Sequence, residues 1–383
     1  MKLIQSKNTK IHQISLMALL LASLAGCGGG SDGSVDPPAP AITPKISLVA
    51  GVASGIGNQD GNKEIAHYGN QKGLGGFAVN RSGEIVFSDY ENNTIRKISK
   101  DGVVSTLAGG GLPVHQGYSI RQDIKYADGG FGIARFNAPQ KIVLDSAGNT
   151  YVNDSGNQVI RKIDVSGNVT TFAGEAGKCD YSFNIVSNQI CKTSNMAIDS
   201  AGNIYTAEWH SNYAVGDGSE VISDAGNAIK KISPEGQVSI VSPKASIYST
   251  KYLDMMVLYK YLPVHMAVDA EGTLYTADPN DRVVRKYING EFKVFAGTLA
   301  KDNSGYVNGL AADAKFSSNI TGMAFDKANN LYVLDDKRIR KVNANGDVST
   351  VLDLSNACSV APGHANQNNN CRFDNLAVDD RGK

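Results

Sequence analysis

From about Leu74 onward, short apolar runs alternate with tight polar turns in a fixed order. Each unit opens on an apolar triplet closed by an acid or amide: FAVN at Phe77–Asn80, IVLD at Ile142–Asp145 and MAID at Met196–Asp199. The same pattern returns as MAVD at Met266–Asp269, MAFD at Met323–Asp326 and LAVD at Leu376–Asp379. A Gly or Asn turn follows, then a second run (IVFSD, TYVND, IYTAE, LYTAD, LYVLD) and a third (TIRKI, VIRKI, AIKKI, VVRKY, RIRKV). After another Gly turn comes a fourth: VSTLAG, VTTFAG, VSIVS, FKVFAG and VSTVL. Short runs rich in β-branched and aromatic residues, punctuated by Gly, Asn and Asp, predict antiparallel hairpins, four strands to a unit.

From Asn80 through Asp145, Asp199, Asp269 and Asp326 to Asp379 the spacings are 65, 54, 70, 57 and 53 residues. One four-stranded sheet cannot bury both faces, so such units predict stacked blades around an axis, a β-propeller over residues 45–383. Ile46–Gly51 reads as a lone fourth strand before the first unit, and Asn375–Lys383 as a lone first strand and turn after the last. The expected fold is therefore all-β, a six-bladed β-propeller whose last blade is built from both chain ends. That blade lacks its second and third strands, so the sequence is expected to be a fragment, incomplete at the C-terminus.

These units resemble NHL repeats, whose pattern runs roughly P-x-G-I-A-V-D, G-N-I-Y-V-A-D, R-I-R-K, V-T-T-L-A-G. The stretch from Asn137 to Gly174 matches best. The linker element of those repeats is present as Asp128-Gly129 with Ala134-Arg135-Phe136, and again as Asn308-Gly309 with Ala314-Lys315-Phe316. The resemblance implies a TolB-like/NHL propeller. Six-bladed relatives include gluconolactonase-like enzymes and a peptide-amidating lyase with metals near the channel mouth, so the alternative function is a metal-dependent hydrolase or lyase. Their ligand sets are not reproduced at matching positions. Asn195 and His265 are partial echoes, and no catalytic residue, metal ligand or cofactor is assigned.

The first residues are not part of the fold. Lys2, Lys7 and Lys10 precede an apolar stretch from Ile14 to Ala25, too short to span a bilayer comfortably. It ends in Leu24-Ala25-Gly26-Cys27, which resembles the lipobox of bacterial lipoproteins. Residues 1–26 read as a signal peptide, Cys27 as the lipid attachment, and 27–44 (Gly/Ser- then Pro-rich) as a tether. The expected location is the cell envelope, lipid-anchored, with Gly28 after the Cys favouring an outer membrane. Removing Cys27 from five cysteines leaves four, Cys179 near Cys191 and Cys358 near Cys371, which an exported compartment would let pair as two local disulfides.

Charge excludes one class of partner. Lys+Arg and Asp+Glu are 37 each, with no basic excess for nucleic acid. The basic pairs on the third strands, such as Arg96-Lys97 and Arg161-Lys162, are better explained by alternation and pairing with nearby Asp than by an RNA-binding stripe.

In a propeller the first strand lines the axis, and the loops leaving fourth and second strands share one face. The long connections fall in that set, including 110–138, 175–194, 242–262 and an enlarged second-to-third loop from Trp209 to Asn227. His67, His115, His210, His265 and His364 fall on or beside it. Just before each apolar triplet stand Gly76, Lys141, Asn195, His265, Gly322 and Asn375, four of them polar groups directed to one axis. A ligand or partner footprint is expected at Lys141, Asn195, Trp209, His210 and His265, with the tight-turn face bare. The leading function is a binding or scaffold module for an envelope protein, peptide or glycan.

Overall fold

The computed structural model describes residues 57–62, 65–67, 75–110, 126–179, 189–215, 221–241, 265–278, 281–299, 305–355 and 375–378. Blade one is β1 (Phe77–Val79), β2 (Ile85–Asp89), β3 (Thr94–Ile98) and β4 (Val104–Gly109). Blade two is β5 (Pro139–Leu144), β6 (Thr150–Asp154), β7 (Val159–Ile163) and β8 (Val169–Ala173). Blade three comprises β9 (Lys192–Ile198), β10 (Ile204–Val215), β11 (Val221–Ile232) and β12 (Val238–Ile240). Blade four follows with β13 (His265–Val268), β14 (Leu274–Asp278), β15 (Val283–Ile288) and β16 (Glu291–Ala296). Blade five has β17 (Ile320–Phe325), β18 (Leu331–Asp335), β19 (Arg338–Val342) and β20 (Val348–Asp353). Every pair within a blade is antiparallel.

The acid that closes each triplet makes the first turn. Asp145 Oδ1 accepts from the backbone N–H of Ala147 (3.0 Å) and Asn149 (2.8 Å), and Asp199 does the same for Ala201 and Asn203. Gly148 and Gly202 in these turns have φ of 90° and 85°, a region that costs a Cβ-bearing residue strain.

First strands lie beside one another in chain order, β1 by β5, β5 by β9, β9 by β13 and β13 by β17. Each new blade packs on the sheet before it: Ile142 and Leu144 close over Val86, Ile95 and Ala108. The expected sixth blade is corrected to five four-stranded blades among the described residues. Ile46–Gly51 lies outside those residues, and Asn375–Val378 has no strand pairing. Even so, Leu376 and Val378 pack on Tyr332, Leu334 and Ile339 of blade five, as Ile142 does on blade one. Among the described residues no helix is long and apolar enough to cross a membrane.

The third-strand cations are internal ties. Arg96, Arg161 and Arg340 are fully buried, and each meets the carboxylate that ends the second strand: Asp89 at 3.3 Å, Asp154 at 3.0 Å and Asp335 at 2.9 Å. Each also grips the incoming linker. Arg161 donates to Asp128 (2.7 Å) and to the carbonyls of Ala127 (2.7 Å) and Arg135 (2.9 Å). Arg96 makes the matching bonds to Asp60, Gln59 and His67, and Arg340 to Asn308, Val307 and Lys315. In blade three Lys230 takes this place, bound to Glu208 at 2.8 Å and the Gln189 carbonyl at 2.6 Å.

These ties change the account of the long connections. Gly61, Gly129 and Gly309 bridge Val104, Val169 and Val348, the first residues of the outermost strands. The linker of blades one, two and five therefore runs down the outer edge of its blade, reaches the tight-turn side, and returns. It covers an edge whose backbone groups would otherwise invite pairing. The expectation that all long connections stay on one face is corrected at these three blades. The expected loop from Trp209 to Asn227 is also corrected: β10 and β11 continue as a hairpin, paired out to Val215 and Val221.

Cys179 and Cys191 form a disulfide, closing a separation of 12 residues beside the Gln189 that serves Lys230. Cys358 and Cys371 lie outside the described residues. Replacing Cys179 and Cys191 together by Ser is expected to cost about 3 kcal/mol, the loop-closure entropy of so short a ring. Equilibrium unfolding with and without reductant checks this; a loss under about 1 kcal/mol contradicts it.

Candidate functional site at the axial mouth

At the first-strand entrances, side chains from distant parts of the sequence meet. The Lys141 ammonium on β5 donates to Asn375 Oδ1, 234 residues away. Against the same strand stands Gly76, where a Cβ would come within 2.9 Å of the Gln140 carbonyl and 3.0 Å of Lys141 Cα. Gly322 plays the same part at the other side, its Cβ position lying 2.7 Å from the Leu376 nitrogen.

Across the mouth, Asn195 on β9 and His265 on β13 are buried and paired, Nδ2 to Nδ1, at 3.3 Å. Asn195 Oδ1 already accepts from the Met196 backbone N–H at 2.8 Å, so the amide nitrogen faces the ring. A neutral imidazole that accepts at Nδ1 keeps its proton on Nε2, leaving a second donor at the mouth. Burial, and then the charge of Lys141, lower the His265 pKa to about 3. Two residues further along their strands, Val143, Ala197 and Ala267 are buried in three separate cores, each between two neighbouring blades.

The remaining expected site residues separate. Trp209 and His210 stand on β10, with Trp209 in register with Lys192, a short step from the Ala207–Asn195 pair. His67 is at the outer edge of blade one, where its carbonyl serves Arg96. His115, His364 and Cys27 lie outside the described residues. The linker acids Asp60 and Asp128 were the residues overlooked as structural partners of buried arginine; the Asp-Gly pair repeated before an Ala was their signal.

The mouth suits hydrogen bonding to a polar ligand group better than holding a metal. It supplies an ammonium, amides and a neutral imidazole, and the ammonium repels a cation. Among the described residues no three His, Cys, Asp or Glu side chains gather as a metal site.

Sheets of four strands set in succession around an axis define the fold as a β-propeller. No family profile matches the chain, and no curated protein does. Among solved structures, a protein of unknown function from Bacteroides thetaiotaomicron superposes with TM-score 0.53 at 17% identity, over 88% of this chain and 71% of its own. A gluconolactonase from Xanthomonas campestris superposes more loosely, with TM-score 0.45 and 13% identity over 81% of this chain and 80% of its own. A virginiamycin B lyase from Staphylococcus aureus gives TM-score 0.40 and 12% identity over 72% and 69%. Such identities speak to the fold alone.

Proposed function

We propose that the chain is a non-enzymatic binding propeller of NHL-type blades, held in the bacterial cell envelope by lipid on Cys27. It receives a protein, peptide or glycan at the axial mouth. The observation that carries the reading is the convergence of Lys141, Asn195, His265 and Asn375 on one entrance. The hairpin bearing Trp209 and His210 is rooted beside Asn195 and extends the same side. Polar groups converging on a concave entrance are the ordinary makings of a binding site. Neither gluconolactone hydrolysis nor lyase chemistry is assigned to the chain.

The anchor and the mouth are tested separately. Cys27→Ala is expected to move the chain from the membrane to the soluble fraction or to leave an unprocessed precursor; unchanged partitioning and mature mass contradict the anchor. For the mouth, Lys141→Gln is expected to weaken partner capture from detergent-solubilised envelope at least tenfold, since a hydrogen bond to a charged group contributes about 1.5–3 kcal/mol, and His265→Asn by about two- to tenfold, the about 0.5–1.5 kcal/mol of a neutral one. Equal capture by both variants contradicts it. Metal analysis of protein purified without chelators adds a check on the enzyme alternative: stoichiometric zinc or calcium favours it.

A further inference from the structure

The first turn of blade four departs from those of blades two, three and five. In those three, the acid that makes the turn accepts at Oδ2 from the amide of an Asn four residues on. Asp145 is met by Asn149 at 2.7 Å, Asp199 by Asn203 at 2.8 Å and Asp326 by Asn330 at 2.9 Å. In blade four the acid is Asp269 and the residue four on is Thr273, which has no amide to give. The backbone half of the turn is intact, with the Thr273 N–H donating to Asp269 Oδ1 at 2.7 Å. Asp269 Oδ2 therefore goes without its amide, although the residue is only 6% exposed. The position two after the acid also changes: Ala147, Ala201 and Ala328 in the other three blades, Glu271 here.

Both carboxylates line a cavity of about 110 Å³ between blades four and five, on the tight-turn side. Its apolar lining is Phe295, Phe325, Leu331 and Val342. The Tyr275 ring packs edge-on against both phenyl rings, 5.1 Å from Phe295 and 4.9 Å from Phe325. Lys286 holds its ammonium over Tyr275, 5.1 Å from the ring centre. Burial raises the Tyr275 pKa; Lys286 beside the hydroxyl opposes that rise, and Asp269 adds to it. Asn329 of blade five ties the two turns together: its Oδ1 accepts from the Ala270 N–H at 3.0 Å, and its Nδ2 donates to Glu271. Glu271 and Ala344 are exposed, so the cavity opens to solvent.

We propose that this cavity is a subsite for one neutral sugar ring, separate from the axial mouth. Asp269 and Glu271 supply acceptors, Lys286 supplies a donor, and the Tyr275 hydroxyl supplies both. A vicinal diol donates and accepts at neighbouring oxygens, which is what such a mixed set requires. The C–H face of the same ring suits the phenyl lining. A cationic ligand fits poorly, because the Lys286 ammonium already occupies the aromatic face that would hold it. An anionic ligand meets two carboxylates. Cavities of about 150 Å³ hold a benzene-sized ring. An open cavity of about 110 Å³ therefore takes the diol edge of a pyranose and leaves its far side in solvent. On this reading the tight-turn side, expected to be bare, carries a second site.

Thr273→Asn is the test, since it restores the amide that blades two, three and five carry and keeps the turn backbone. The probes are methyl β-D-glucopyranoside, methyl β-D-galactopyranoside and methyl α-D-mannopyranoside, at millimolar concentration. Each is mixed with the full chain in detergent micelles and read by saturation-transfer NMR. The unaltered chain should transfer saturation to the ring protons of at least one glycoside. Thr273→Asn should cut that transfer about fivefold or more, the loss of a hydrogen bond to a charged group, with a melting temperature unchanged or raised. If Thr273→Asn melts lower, Glu271→Ala takes its place, because Ala stands there in the same three blades, and the same loss is required. No transfer to any of the three glycosides, or transfer undiminished in the folded variant, overturns the subsite. Transfer to ethylammonium in place of the glycosides overturns it too, by making the cavity a cation site.

Discussion

Arg161→Met should destabilise the protein by about 3–5 kcal/mol, because it leaves a buried carboxylate with its cation gone. The methionine keeps most of the stem volume, so the loss is one of charge and hydrogen bonding. Arg161 is fully buried, joins Asp154 at 3.0 Å, and ties the descending linker through Asp128 and two carbonyls. Its guanidinium also lies over Phe136, 5.1 Å from the ring centre. Lys162, the next residue, is only partly buried, and Lys162→Met should cost under about 1 kcal/mol. Urea unfolding of both variants decides the matter. If Arg161→Met costs no more than Lys162→Met, the arginine is not the tie described.

His265 should make stability fall as the solution is acidified. Its folded pKa is about 3 against an ordinary 6.5. Below pH 6.5 the unfolded chain takes up a proton at this site that the folded chain refuses. The site's contribution is therefore complete above 6.5 and is lost progressively down to about 3, at up to about 1.4 kcal/mol per pH unit. His265→Asn removes the titrating group, so the decline between pH 7 and pH 5 should flatten by about 1.4–2 kcal/mol. Unfolding free energies at those two pH values, compared between the unaltered chain and the variant, give the answer. Identical declines would mean that His265 is not held neutral at the mouth.

Much of the fold was legible because its signals are local. Asp145 and Asp199 close turns with their own neighbours, and the strand runs between such turns are short and β-branched. The mouth positions could be read for a similar reason: each stands at a fixed offset before its triplet. The blade number was misread from the ends, where Asn375–Val378 packs as a first strand would and forms no ladder. The paths of the long linkers were not legible, because they depend on Arg96, Arg161 and Arg340 reaching partners about 30 residues earlier in the chain. Length alone made Trp209–Asn227 resemble a loop, whereas backbone pairing continues along it.

The most direct test of a binding mouth is site-specific photo-crosslinking in intact envelopes. One reporter replaces Trp209 on the hairpin, and a second replaces Ser146 in the exposed tight turn between β5 and β6. The binding account predicts a discrete protein, peptide or glycan adduct from position 209 that disappears when Lys141→Gln or His265→Asn is added, and no such adduct from position 146. The same adduct from position 146, with none from position 209, would contradict it.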